Sequence, residues 1–81
     1  MLEEQILAEL NILFRKVFSD PALTIAAHTS SKDIKGWNSL SHMQLINEVE
    51  NFYGINFSYT EVRSFKVTGD IVRAIIAHSS C

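Results

Sequence analysis

The sequence has little of what marks several common protein classes. Its single cysteine, Cys81, cannot form an internal disulfide, which is typical of proteins from a reducing compartment. No apolar run approaches the roughly 20 residues that a membrane-spanning helix needs. The start of the chain is acidic at Glu3 and Glu4, whereas a signal peptide begins with basic residues. We therefore expect a cytoplasmic protein without a membrane span.

Charge of either sign is scarce. Seven Lys and Arg residues against nine Asp and Glu residues give a net charge of −2, and the basic residues are scattered along the chain. Nucleic-acid binding needs a basic stripe that neutralises phosphates, so this function is not expected. The histidines His28, His42 and His78 lie on separate segments without the spacing of a metal site, and we expect no metal.

Size sets a further limit. The 81 residues make one domain, residues 1–81, and 47% of them are hydrophobic, which argues against disorder. Ligand clefts typically occupy about 300–1,000 Å³, and a chain this short has little core to spare for one. The sequence therefore predicts a carrying, binding or docking module without catalytic residues, and not a complete enzyme.

Apolar residues recur at steps of three and four in four segments, which is typical of amphipathic helices. We predict helices at about residues 3–18, 39–53, 59–65 and 68–78. No strand-like alternation of useful length is present. The predicted fold class is all-α, with three main helices, a short third helix and a long first loop.

The predicted helix ends carry recognisable signals. Pro21 follows the first helix, Gly54 suits the left-handed residue after the second, and Thr68 is predicted to cap the last. We expect Leu23 and Ile25 to hold the long loop against the core. The residues predicted to face inward on the main helices are Ile6, Leu10, Leu13, Val17, Leu45, Ile46, Val49, Tyr53, Ile71, Val72, Ile75 and Ile76.

Ser39 stands where the long loop meets the second predicted helix. Either Asn38 or Ser39 can cap this helix. The junction should expose the hydroxyl, and the unpaired N–H groups and positive dipole end of the helix should favour a phosphate. Ser39 is therefore a suitable residue to bear a phosphodiester, although a serine in this position can also be only a helix cap.

The residues around Ser39 resemble a known signature. Segment 36–42, Gly-Trp-Asn-Ser-Leu-Ser-His, resembles the Gly-Trp-Asp-Ser-Leu-x-His form of acyl and peptidyl carrier proteins. Residues 45–58 are similar to that family's second helix and the segment after it, and residues 67–71 resemble the start of its last helix. The resemblance extends without gaps from about Gly36 to Ala77.

The resemblance implies an acyl-carrier-protein-like bundle of four helices and a carrier function. In this family, a phosphopantetheinyl transferase moves 4′-phosphopantetheine from coenzyme A to the serine, here Ser39. The thiol of this arm then carries acyl groups as thioesters between acyl-loading and acyl-transfer enzymes. The carrier itself is not an enzyme, and we expect a monomer. The resemblance also implies a partner-binding face that contains Asn38, Leu40, Met43, Gln44, Asn47, Glu48 and Val62.

Two departures from the family pattern concern charge. Asn38 stands where the family has an aspartate next to the metal that the transferase uses, so we expect weaker metal binding. Neutral residues also stand on the second helix where acids are common, at Ser41, Gln44 and Asn47. Because enzymes of fatty-acid synthesis typically present basic patches to this face, we predict a specialised biosynthetic pathway.

Other interpretations stay open. A peptidyl or aminoacyl carrier shares the same signature, and a non-carrier docking module of the same fold could use Leu40 and Met43 for protein contact. Ser39 and His42 also have the spacing of a nucleophile and its base, but no orienting group or oxyanion hole is visible. We therefore predict His42 to be a surface or docking residue and Trp37 to pack the end of the loop onto the bundle.

Overall fold

The computed structural model describes residues 2–79. Over this range the chain forms four helices, α1 (Glu3–Val17), α2 (Ser39–Tyr53), α3 (Tyr59–Ser64) and α4 (Thr68–Ser79). The all-α fold class is confirmed, and each helix end lies within one residue of its predicted position. Among the described residues, no helix has the length and apolar character to cross a membrane. Cys81 lies outside the described residues.

Helix α1 is the centre of the bundle and packs against both α2 and α4. The predicted inward stripes supply the core, because nine of the twelve residues are buried and Val17, Tyr53 and Ile76 lie half-buried at its edge. Phe14, which widens the apolar stripe of the first helix in the sequence, is fully buried as well. Burial of each large apolar side chain contributes about 1.5–3 kcal/mol, so these contacts dominate the stability of the bundle.

The long loop between α1 and α2 is held to α1 by side-chain hydrogen bonds. The Asn11 side chain accepts from the Ile25 N–H group at 2.7 Å and donates to the Ile25 carbonyl at 3.3 Å. Arg15 Nε donates to the Leu23 carbonyl at 2.6 Å. Ile25 is buried and Leu23 packs on the core, as predicted, while Ile34 is a buried loop anchor that the sequence analysis missed.

The second half of the loop completes the first turn of α4. The carbonyl of Thr29 accepts from the Thr68 N–H group at 2.8 Å, and the carbonyl of Ala27 accepts from the Gly69 N–H group at 2.8 Å. Gly69 permits this close approach, since a Cβ atom there would lie 3.0 Å from the Ala27 oxygen. Loop carbonyls thus satisfy N–H groups that a helix otherwise leaves unpaired.

The prediction that Thr68 caps α4 is wrong. Thr68 is the first residue inside the helix and is 0% exposed, and its hydroxyl donates to the Thr29 carbonyl at 3.1 Å because a buried hydroxyl needs a partner. Asp70, in the first turn of α4, bonds back to the segment before the helix, because its carboxylate accepts from the N–H groups of Lys66 at 2.8 Å and Val67 at 3.1 Å. These two bonds hold the pKa of Asp70 below its ordinary value.

Replacement of Asp70 by Asn should lower the free energy of unfolding by about 1 kcal/mol at neutral pH, because hydrogen bonds to a charged acceptor are the stronger ones. The native pKa of Asp70 lies below its unfolded value. The ionised carboxylate therefore stabilises the fold above the unfolded pKa, and this stabilisation is lost as the pH falls through the native pKa. Urea titrations should show the stabilities of the two proteins converging as the pH falls through the unfolded and then the native pKa of Asp70.

The exposed Glu3→Gln change is the control, and it should alter the free energy of unfolding by no more than about 0.5 kcal/mol. A deficit for Asp70→Asn that stays the same at every pH would contradict this role of the ionised carboxylate.

Candidate functional site

Ser39 is the first residue of α2 and is exposed. Gly36 turns the backbone shortly before it with a φ of 90°, a conformation that favours glycine. Within residues 2–79, the Ser39 side chain makes no hydrogen bond. Its hydroxyl therefore lies in solvent at the junction of the loop and the helix, where another protein can reach it.

Asn38, and not Ser39, caps α2. Asn38 Oδ1 accepts from the N–H groups of Leu40 at 3.0 Å and Ser41 at 3.1 Å, and Ser41 Oγ accepts from the Asn38 N–H group at 2.8 Å. This reciprocal arrangement is a capping box. The expectation that these N–H groups stay open for a phosphate is therefore wrong for Leu40 and Ser41, and within α2 it is the helix dipole that favours an anion.

A groove of about 630 Å³ opens beside Ser39, between the start of α2 and α3. This volume lies within the usual range for ligand clefts, which the short chain was not expected to provide. Buried and half-buried apolar or aromatic side chains form the inner part of the groove, and exposed side chains form its edge. The inner residues are Trp37, His42, Val62 and Phe65, and the exposed ones include Met43, Tyr59, Arg63 and Lys66.

His42 joins the loop, α2 and α3 across the floor of this groove. Its Nδ1 atom accepts from Trp37 Nε1 at 3.1 Å, and its Nε2 atom lies 3.2 Å from the Val62 carbonyl oxygen. Because an indole N–H can only donate, Nδ1 must present its lone pair, so Nε2 carries the proton and donates to Val62. Neither nitrogen has a lone pair left for Ser39, which excludes His42 as its general base in this arrangement.

The half-buried position of His42 differs from the predicted surface role. Its ring stacks on Trp37 with centroids 6.0 Å apart, and Trp37 meets Phe14 edge-on at 5.3 Å. Trp37 therefore packs the end of the loop onto the bundle, as predicted. Since Phe14 belongs to the buried core, this chain of contacts connects the site to the most stable part of the protein.

Most residues assigned to the partner face form one exposed strip on α2. Leu40 is 71% exposed and Met43 is 52% exposed. Positions 40, 43, 44 and 47 follow the three- and four-residue steps that place side chains on one side of a helix. The strip, together with the cap at its start, consists of Asn38, Leu40, Met43, Gln44 and Asn47, all of which are exposed.

The other two assigned residues are placed differently. The carboxylate of Glu48 accepts from Lys16 Nζ at 3.0 Å, so a neighbouring cation offsets its charge. The side chain of Val62 lines the groove and is only 8% exposed. The role of both residues in partner binding stays a prediction, but Val62 offers little area for a direct protein contact.

The remaining carboxylates of α2 and α3 are engaged within the chain. Glu50 accepts from the Phe57 N–H group at 2.8 Å. Glu61 accepts from the Ser58 N–H group at 2.9 Å and contacts His78 Nε2 at 2.8 Å. Both partners hold the pKa of Glu61 below its ordinary value, and the bond from Ser58 contributes most. In the part of the chain that the structure describes, no cluster of three His, Cys, Asp or Glu residues could hold a metal ion.

Two solved structures are similar to this chain over most of its length. The solution structure of the holo acyl carrier protein from Geobacter metallireducens is 38% identical with a TM-score of 0.83, and the match covers 89% of this chain and 83% of that one. A candidate acyl carrier protein from Mycobacterium tuberculosis is 24% identical with a TM-score of 0.78, covers 86% and 93% in the same order, and supports the fold alone. No protein-family model and no curated protein matches the sequence.

Replacement of His42 by Ala should lower the free energy of unfolding by about 1–3 kcal/mol, because it leaves the Trp37 N–H group and the Val62 carbonyl without partners. The emission of Trp37, the only tryptophan, should shift to the red as its ring becomes more exposed. Urea titration and fluorescence measure both effects. His28→Ala, at an exposed loop position, is the matched control, and equal losses in the two variants would argue against the bridge.

Proposed function

The chain belongs to the acyl carrier protein family, and from this premise we propose that it carries acyl groups as thioesters on a 4′-phosphopantetheine arm attached to Ser39. The observation that best supports this is the exposed, unbonded hydroxyl of Ser39 at the start of α2 beside an open groove. When bound, the arm supplies the thiol that forms the thioester. Carrier proteins of this family are in general not enzymes, and the chain itself would supply the anchor and the recognition surface.

The surroundings of Ser39 suit a phosphodiester. Arg63 and Lys66 line the groove into which Ser39 opens, and within residues 2–79 neither side-chain cation lies within 4.0 Å of a carboxylate. The first turn of α2 contains no acidic residue, and the cap Asn38 is neutral. An anion at Ser39 would therefore meet cations and a helix dipole of favourable sign, with no carboxylate opposing it.

The attachment step would form one bond and break one. Ser39 Oγ loses its proton and bonds to the phosphorus of coenzyme A that bears the pantetheine, while the pyrophosphate bond at that phosphorus breaks and 3′,5′-ADP leaves. A serine hydroxyl needs a base for this step. Since His42 has no free lone pair, the phosphopantetheinyl transferase would supply the base and the metal, and this chain would supply only the nucleophile.

The finer assignments extend this proposal. The partners would be the transferase and the acyl-loading and acyl-transfer enzymes of a specialised biosynthetic pathway in the cytoplasm. The lack of acidic residues at Ser41, Gln44 and Asn47 supports such a pathway over primary lipid synthesis. An aminoacyl carrier would share the same attachment chemistry, and the loading enzyme that charges the thiol distinguishes the two.

Incubation with coenzyme A and a permissive transferase should raise the intact mass by one phosphopantetheine. The Ser39→Ala variant should show no addition, because the nucleophile is missing. Ser31→Ala removes another exposed hydroxyl that lines the groove and should be modified like the native chain. Absence of modification with several transferases would favour a docking module, and addition that persists in Ser39→Ala would show that another residue is the anchor.

The Asn38→Asp variant should be modified faster than the native chain, by roughly tenfold at limiting Mg²⁺, the order of effect expected when a group that supports a metal site is restored. The aspartate can accept the same two N–H bonds, so the free energy of unfolding should not fall. Transferase kcat/KM over a range of Mg²⁺ concentrations measures the effect. Asn56→Asp adds the same charge at an exposed position after the far end of α2 as a control, and equal rates for Asn38→Asp and the native chain would show that the missing charge is not limiting.

A further inference from the structure

We propose that the surface around Ser39 binds enzymes whose contact surface carries carboxylates around an apolar depression. The surface, here termed the basic docking face, consists of Leu40, Met43, Tyr59, Arg63 and Lys66. The proposal rests on the proposed function, since the partners are the enzymes that act on Ser39. Its charge pattern is the reverse of the one that fatty-acid carriers present to basic partners.

The centre of the basic docking face is apolar. Leu40 is 71% exposed, Met43 is 52% exposed and Tyr59 is 74% exposed, and they are half of the six large hydrophobic side chains that are exposed in the described chain. Met43 and Tyr59 line the same groove as Ser39, and Leu40 lies one helical turn before Met43. Exposed aromatic and methionine side chains beside a reactive group are typical of the buried centre of a protein interface.

The rim of the basic docking face is cationic. Arg63 and Lys66 are exposed and line the groove, and their side-chain cations have no carboxylate partner within residues 2–79. Asp70, which accepts from the backbone N–H group of Lys66, forms its ion pair with Arg73. The Arg63 guanidinium carbon lies 5.6 Å from the centroid of the Tyr59 ring, which holds the charge beside an interface aromatic. A guanidinium so placed can form a bidentate pair with a carboxylate of another protein.

Few carboxylates lie exposed on the same surface. The exposed strip of α2 carries the neutral Gln44 and Asn47, Glu48 is paired with Lys16, and Glu50 and Glu61 accept hydrogen bonds within the chain. The acids that make the whole chain net negative include Glu3, Glu4 and Glu9, which lie on α1. The net charge of −2 therefore does not describe the surface around Ser39, where the exposed side-chain cations of Arg63 and Lys66 have no ion-pair partner among the described residues.

This arrangement should decide which enzymes bind. A contact surface rich in carboxylates is attracted to Arg63 and Lys66, whereas one rich in Lys and Arg meets like charge, which is costly in a desolvated interface. The attraction should weaken as salt screens it, because both cations lie at the solvent-exposed rim.

The test uses two phosphopantetheinyl transferases of known structure, one whose coenzyme A pocket is rimmed by Asp and Glu and one whose rim is rich in Lys and Arg. The carrier is the full chain with Ser39→Ala, so that binding is measured without modification. We expect at least tenfold tighter binding to the acidic rim, with an affinity that falls as salt is raised. Backbone NMR shifts on titration should change at Leu40, Met43 and Tyr59.

Charge variants in the same background locate the effect. Arg63→Gln with Lys66→Gln should weaken binding to the acidic rim at least tenfold. The control, Gln5→Glu with Ala8→Glu at exposed positions of α1, changes the net charge by the same two units and should leave binding unchanged. Arg63→Glu with Lys66→Glu should reverse the preference, and circular dichroism checks that every variant stays helical.

The proposal would be overturned if the carrier bound both rims equally, bound the basic rim more tightly, or bound neither. It would also be overturned if the control variant lost as much affinity as the Arg63 and Lys66 variants. Phosphopantetheine addition to the native chain is measured separately by intact mass. Failure of that addition with preserved binding would reject the proposed function alone, and addition without a preference for the acidic rim would reject this inference alone.

Discussion

The bridge from Trp37 through His42 to the Val62 carbonyl is the interaction on which the site depends. It joins the end of the long loop, the start of α2 and the short helix α3, which are separate elements. Trp37 extends the bridge into the core by its edge-on contact with Phe14. A six-residue helix is too short to be stable alone, so α3 needs such tertiary contacts to hold its place beside Ser39.

The same bridge explains why Ser39 suits the proposed role of an anchor and not that of a catalytic nucleophile. Both imidazole nitrogens of His42 are used to hold the structure together, so the serine has a neighbour of suitable type and spacing but no available base. The capping box at Asn38 also favours an anchor role, because it fixes the first turn of α2 and leaves the Ser39 hydroxyl exposed. The protein thus presents a well-positioned hydroxyl, and under the proposed function the chemistry would come from the enzymes that bind it.

Charge at the site follows from the way carboxylates are used elsewhere. Glu50 and Glu61 accept from the N–H groups of Phe57 and Ser58, just before α3. Glu48 pairs with Lys16, and Asp70 accepts from the Lys66 N–H group, just before α4. Each of these bonds stabilises the fold locally and occupies a carboxylate within the chain. The side-chain cations of Arg63 and Lys66 have no carboxylate within 4.0 Å among the described residues, so they stay available to a partner although the whole protein is negative.

The local pattern of the sequence determined the four helices, because apolar residues three and four positions apart in α1, α2 and α4 form one face within one or two helical turns. The signature around Ser39 indicated the family. Tertiary structure alone decided the partners of buried polar groups. Thr68 is of a residue type that often caps helices, yet its hydroxyl donates to the carbonyl of Thr29, 39 residues away. His42 likewise bonds to the carbonyl of Val62, 20 residues away. Periodicity carries no information about such distant pairs, since a polar group that becomes buried takes whichever partner the packed chain brings within reach.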